Sequence, residues 1–210
     1  MSRFGSDPHA FFKSVYQNIP PWDVGGPQPA LSALFDEYPP ASPVLDLGCG
    51  SGDLAIALAQ RRLEVTGIDF VEAAIEQARA KAGTLPAEVA NLLDFQVGDA
   101  LKPSLLKQQF GAVTDSGFLH LFESEPRDSF VEDLALALVP GGRYYLLAFA
   151  VDFGIPNVPR QVTEEELRMR FTSERGWRML DIRPAEFLTH GTPPVPAIRA
   201  CMERLPADNI

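Results

Sequence analysis

The chain has 210 residues, 46% hydrophobic and 22% charged, a balance that excludes disorder and a length that one α/β domain can fill. Eighteen basic residues against twenty-eight acidic ones give a formal net charge of −10; with no Lys/Arg cluster, the long-range field opposes nucleic acid and other polyanions. About 18 apolar residues never run uninterrupted, Met1 to Tyr16 holds no signal-type apolar core, and Cys49 and Cys201 lack C-x-x-C spacing or a His partner. The expectation is a cytoplasmic protein with no membrane span, disulfide framework or metal site.

In chain order, "FFKSVY" (Phe11 to Tyr16) is an amphipathic segment, followed by a Pro-rich loop from Pro20 to Pro43 that carries a Trp-Asp pair in "PPWDVGGPQP". The first strand is expected at Pro43 to Gly48, then a Gly-rich turn and a helix from Gly52 to Arg62. A strand at Glu64 to Phe70, a helix at Val71 to Ala82 and a strand at Asp94 to Ala100 follow. The next strand, Phe110 to Gly117, leads through "FLHLF" to a helix near Glu125 to Leu138, and the turn Val139 to Gly142 feeds a buried strand, Arg143 to Ala150. Thr163 caps a helix to Phe171, and β-like segments at Trp177 to Phe187 and Val195 to Met202 form an antiparallel closing pair. Apolar strands alternating with amphipathic helices predict α/β architecture, a three-layer α/β/α sandwich on a largely parallel sheet.

Chemistry concentrates where "LDLGCGSGD" (Leu45 to Asp53) joins a strand to a helix, because glycines there let a ligand approach backbone amides. A dinucleotide fingerprint starting at Gly48 would need glycine at position 53, which is Asp53, and no Gly-Lys-Ser/Thr follows to make a P-loop. The pattern is D-x-G-x-G-x-G: Asp46, Gly48, Gly50 and Gly52. Asp69 closes the second strand, where a carboxylate can accept from both hydroxyls of a ribose, and Phe70 beside it offers a face to an adenine. Asp99 and the Ala100 amide end the third strand, placed to read the edge of an adenine.

The glycine loop, the three strand-end acids and "VPGG" before the fifth strand resemble the class I S-adenosylmethionine-dependent methyltransferases. The resemblance implies a Rossmann-like, seven-stranded, mostly parallel sheet with an antiparallel C-terminal strand. It implies S-adenosyl-L-methionine as methyl donor and S-adenosyl-L-homocysteine as product, with Asp46 orienting the methionine part, Asp69 holding the ribose and Asp99 reading adenine. It also likens "PPWDVGGPQP" to the Pro-Trp-Asp/Glu loop that small-molecule members fold over the donor, with Trp22 shielding the sulfonium and Phe11 to Tyr16 as a lid helix. Residues 1–42 are then a lid on a core of 43–210 within one domain. Cys49 is given no nucleophilic role.

Methyltransferases of nucleobases and protein amides show Asn/Asp-Pro-Pro-aromatic after the fourth strand; here Asp115 precedes Ser116 and Gly117. The segment is more similar to the thiopurine, thiol and halide methyltransferases and to bacterial enzymes of phenols, quinols and N-heterocycles. The partner implied is a small-molecule acceptor methylated at O, N or S, with no nucleic acid and no membrane, the protein being a monomer or homodimer. His120 is the candidate base, or else a helix-start histidine hydrogen-bonded to backbone, and Asp115 the candidate contact to the donor's ammonium or the acceptor. Ser116, Phe118, Phe122, Phe153 and Arg160 are candidate pocket residues, although "NVPRQ" departs from the Gly-Pro-Arg usual in relatives. Two other readings stay open: an NAD-linked oxidoreductase on a Rossmann sheet, and a non-catalytic S-adenosylmethionine-binding module.

Overall fold

The computed structural model describes Phe4 and residues 7–155, 158–190 and 193–206. Seven strands, β1 (Val44–Leu47), β2 (Val65–Asp69), β3 (Leu93–Val97), β4 (Phe110–Ser116), β5 (Leu138–Phe149), β6 (Trp177–Phe187) and β7 (Val195–Arg204), form one sheet in the order β3-β2-β1-β4-β5-β7-β6. β1 pairs in parallel with β2 on one side and β4 on the other, and β7 runs antiparallel to both β5 and β6. The closing antiparallel pair and the mostly parallel seven-stranded sheet are therefore as expected. The chain order reverses beside β1, and in open α/β sheets the ligand crevice lies outside the carboxyl ends of the strands at such a reversal.

Side chains alternate across the strands, so each face of the sheet builds its own core. On one face Leu45, Val113, Tyr144 and Leu146 pack with Phe130 and Leu134 of α6 (Ser124–Ala137) and Leu167 of α7 (Glu164–Arg170). On the other, Val44, Ala112, Tyr145 and Leu147 pack with α2 (Pro29–Glu37), α3 (Asp53–Gln60) and α4 (Glu72–Ala82). These are the three layers. A third cluster joins Phe12 and Tyr16 of the N-terminal segment, where α1 spans Pro8–Val15, to Val71 and Ala74 at the start of α4.

Four segments differ from expectation. The Pro20 to Pro43 stretch contains α2, begun by a proline whose fixed φ suits the first helical turn; Leu31, Leu34 and Phe35 are buried, with Phe35 edge-on to Tyr145 at 5.2 Å. A one-turn helix α5, Ala87–Ala90, precedes β3. β3 ends at Val97, so Asp99 lies past the strand. β5 starts at Leu138 and includes the Val139 to Gly142 turn, with a register irregularity against β4. Among the described residues no helix is long and apolar enough to cross a membrane.

Candidate active site

After β1 the chain turns through three glycines at positive φ, Gly48, Gly50 and Gly52 at 58°, 55° and 86°. At Gly50 the need is steric as well, since a Cβ would lie 2.7 Å from the Tyr16 hydroxyl. The loop is held by the carboxylate that ends β2: Gly50 N–H donates to Asp69 Oδ2 at 3.0 Å and Val71 N–H to Oδ1 at 2.8 Å. Each oxygen keeps a further acceptor site. Burial raises the Asp69 pKa, opposed by these amide bonds.

Asp46 sits in β1, an interior strand, in register with Gly67 on one side and Thr114 on the other. Thr114 Oγ1 donates to its Oδ1 at 2.9 Å, while among the described residues the buried Oδ2 has no hydrogen-bond partner. Burial pushes its pKa up to about 7; the Thr114 bond acts against this, and the charges of Asp115 and Asp69 add to it. A buried carboxylate oxygen without a donor is a vacancy for a ligand N–H or O–H. With the glycine turn and the Asp69 carboxylate, it fits the amino and hydroxyl groups of an adenosyl amino acid.

A cavity of about 490 Å³ opens over this loop, within the range of small-molecule sites. One end is walled by Tyr16, Trp22, Asp23, Asp46, Asp69 and Phe70, the other by Ser116, Gly117, Phe118, His120 and three aromatics, Phe149, Phe153 and Phe187. The Trp-Asp loop is tied to the first end. Trp22 lies edge-on to Tyr16 at 6.2 Å and tilted against Phe12 at 6.1 Å. Asp23 Oδ2 accepts from Ser51 Oγ at 2.8 Å, and Lys81 Nζ donates to Ser51 Oγ and Asp53 Oδ1, each at 2.8 Å. Phe70 meets Phe12 edge-on at 5.7 Å and His9 at 5.4 Å.

Several of the expected residues are placed otherwise. Asp99 is exposed, its Oδ1 accepting from the Leu101 amide at 2.9 Å, and it does not line the cavity, although Ala100 does. Asp115 is fully buried; its oxygens accept from the Phe118 amide at 2.6 Å, the Leu119 amide at 2.9 Å and Tyr144 Oη at 2.6 Å. The carboxylate is thus spent on the turn after β4, and burial raises its pKa to about 6, which corrects the expectation of a carboxylate facing the acceptor. Phe122 stands behind Phe118, edge-on at 4.8 Å. Arg160 lies outside the cavity wall, ion-paired with Glu123, and its amide donates to the His120 carbonyl at 2.7 Å.

His120 does line the cavity, but its chemistry differs from that of a general base. Burial and the Arg127 charge lower its pKa to about 3, and its Nδ1 accepts from the Phe149 amide at 3.1 Å. Tyr16, Ser51, Phe187 and His190 line the cavity without having been singled out in the sequence. Tyr16 ended a candidate helix, and burial, with the Asp69 charge, pushes its phenol pKa up. His190 comes from the far end of the chain, its amide donating to the Pro21 carbonyl at 2.7 Å, and nothing local signals that contact.

Fold and site together define an α/β methyltransferase. A family model described as "Methyltransferase domain" matches residues 44–142. The chain is 30% identical over 179 residues to the 2-heptyl-1-hydroxyquinolin-4(1H)-one methyltransferase of Mycobacteroides abscessus, across 82% of this chain and 74% of that protein. It is 29% identical over 157 residues to the probable thiol methyltransferase 2 of Arabidopsis thaliana, across 73% and 67%. A solved structure concerned with conversion of a disulfide bond into a thioacetal group during echinomycin biosynthesis superposes with a TM-score of 0.79 at 29% identity, covering 94% of this chain and 93% of that one. The chain belongs to the class I S-adenosylmethionine-dependent methyltransferases. It is an S-adenosylmethionine-dependent enzyme of the kind that acts on small molecules.

Proposed function

We propose that the protein methylates O, N or S of a small aromatic or heterocyclic acceptor. The observation that carries this reading is the continuity of the donor end of the cavity with an end walled by Phe118, Phe149, Phe153 and Phe187, apolar faces suited to a flat ring. The relatives named as a 2-heptyl-1-hydroxyquinolin-4(1H)-one methyltransferase and a probable thiol methyltransferase support a small-molecule acceptor methylated at O, N or S.

When bound, S-adenosylmethionine supplies a methyl group on a cationic sulfonium, so the protein's contribution is alignment and exclusion of water more than acid or base chemistry. Asp69 would hold the ribose hydroxyls, Asp46 Oδ2 would receive a donor N–H, and Phe70 would pack on the base. Trp22 and Tyr16 close the donor end, with an aromatic face favouring positive charge. Ser116 and Phe118 belong to the wall of the acceptor end.

The test is formation of S-adenosylhomocysteine from S-adenosylmethionine with a panel of phenols, thiols and N-heterocycles, and mass analysis of the product. A methylated aromatic product is expected. Donor binding without turnover of any acceptor would instead favour a binding module.

A further inference from the structure

The ring of His120 is held in one protonation form by its surroundings. A backbone N–H can only donate, so the Nδ1 that faces the Phe149 amide at 3.1 Å must present its lone pair. A neutral imidazole has one N–H, which is therefore on Nε2. To take up a second proton the ring would have to surrender the Phe149 bond inside a buried pocket.

Its neighbours favour the neutral ring. Phe149 of β5 lies tilted against it at 4.5 Å between centroids and Phe187 of β6, also tilted, at 6.1 Å. The charged group bearing on it is the Arg127 guanidinium of α6, itself bonded to Glu166 at 2.5 Å. Asp115, five residues earlier on β4, has its oxygens committed to two amides and Tyr144. Gly117 lies close against Nε2, where a Cβ would come within 3.0 Å of it. Among the described residues no hydrogen bond occupies Nε2, and the ring forms part of the cavity wall.

We propose that the acceptor binds as an anion, a phenolate, thiolate or ionised hydroxy-heterocycle, with His120 Nε2–H donating to its charged atom. This rests on the methyltransferase reading and narrows its substrate class to small aromatic O–H or S–H acids that lose their proton to solvent before transfer. In the step itself, the acceptor's lone pair forms the bond to the methyl carbon while the carbon–sulfur bond breaks and its electron pair returns to sulfur. An anion and a sulfonium become two neutral products, and no proton moves. The low-dielectric aromatic wall strengthens the attraction of the two charges and strips water from the nucleophile. Asp46 and Asp69 line the same cavity, so the anion is favoured only after the cationic donor is in place. His120 is thus a donor to the acceptor, and the turn after β4 exists to aim it.

The test uses 4-nitrophenol and 4-nitrothiophenol, whose anions are coloured, titrated into the full-length protein with sinefungin, a donor analogue whose amine replaces the sulfonium charge. The bound probes are expected in the anionic form, with ionisation shifted at least tenfold toward the anion. H120F should abolish that shift and weaken probe binding at least tenfold, while H120Q, which keeps an N–H, retains most of it. Sinefungin affinity and the thermal midpoint of each variant separate this effect from misfolding. In turnover, the rising limb of kcat/KM against pH should move with the acidity of each acceptor. A limb fixed across acceptors and lost in H120Q makes His120 a base and overturns the proposal, as does binding of the probes in neutral form or failure to bind them. Either result can stand beside measured turnover, which keeps the methyltransferase reading; absence of turnover with every acceptor removes that reading as well.

Discussion

The hydroxyl of Tyr16 lies where a side chain on Gly50 would begin, 2.7 Å from the position of a Cβ. The N-terminal segment is therefore seated directly on the glycine turn, and the two close the donor end of the cavity together. Gly50→Ala adds two burdens: a left-handed backbone at φ 55°, costing about 1 kcal/mol or more, and a contact that pushes the phenol away. Donor affinity by calorimetry should fall at least tenfold. Tyr16→Phe in the same chain removes the contact but not the strain, so the double variant should recover only part of the loss. Full recovery would mean that the turn's conformation is not what the donor requires.

Asp46 links stability and binding through one proton. Its carboxyl sits near 7 in the fold against about 3.9 in an unfolded chain. Between those values the native state holds a proton that the unfolded state has released, so stability of the donor-free protein falls as pH rises from about 4 to about 7. The upper figure is on the order of 4 kcal/mol. Asp115 contributes a slope of the same sign, so the difference between wild type and Asp46→Asn reads Asp46 together with its coupling to Asp115 and Asp69. The variant's thermal midpoint should decline less over this range, and parallel slopes would refute the assignment. Donor affinity should move the other way in wild type, tightening as pH rises through 7 because a cation favours the carboxylate, while Asp46→Asn binds at least tenfold more weakly at pH 8 than wild type.

Asp23 fastens the Trp-bearing loop to the start of α3, accepting from Ser51 Oγ at 2.8 Å and from the Gly25 amide at 3.2 Å. The hydrogen bonds and the Lys81 charge together hold its pKa below the usual carboxylate range despite partial burial. Asp23→Ala frees the loop without touching Asp46 or Asp69, and each hydrogen bond to a charged group is worth about 1.5–3 kcal/mol. The expected result is a three- to thirtyfold faster donor dissociation in stopped-flow fluorescence of Trp22, with the global thermal midpoint little changed. An unchanged dissociation rate would show that the loop does not gate the donor.

The fold was legible because β1, β2 and β4 are short apolar runs bounded by glycines and acids, and α4 has a clear helical rhythm. α2 was hidden by surrounding prolines, although Pro29 at its first turn is itself a start signal. At the site, the glycine turn and Asp69 fall where strand-end spacing puts them, since the crevice follows from topology. Asp99 does not, because β3 stops at Val97 and the following turn points its carboxylate at Leu101. Asp115 and His120 show the limit of local reading. Their partners, Tyr144 and the Phe149 amide, lie 29 residues on in sequence, and only sheet pairing reveals that one carboxylate is consumed and one imidazole is fixed.

Gly117 offers a counterpart to Gly50 at the acceptor end. It holds φ at 87°, and a Cβ there would meet His120 Nε2 at 3.0 Å and Phe187 Cε2 at 3.2 Å. Both atoms belong to packed rings in the cavity wall, so neither yields as easily as a free side-chain end, and the left-handed backbone adds about 1 kcal/mol or more of strain. Gly117→Ala should therefore obstruct the Nε2–H while leaving the Gly48 to Gly52 turn intact. The expected signature is a loss of at least tenfold in kcat/KM for the acceptor with donor affinity changed less than twofold, the reverse of the Gly50→Ala pattern. Equal losses of donor and acceptor binding would show that the two ends of the cavity do not act separately, and a variant with normal acceptor kinetics would free Nε2 from any part in positioning the acceptor.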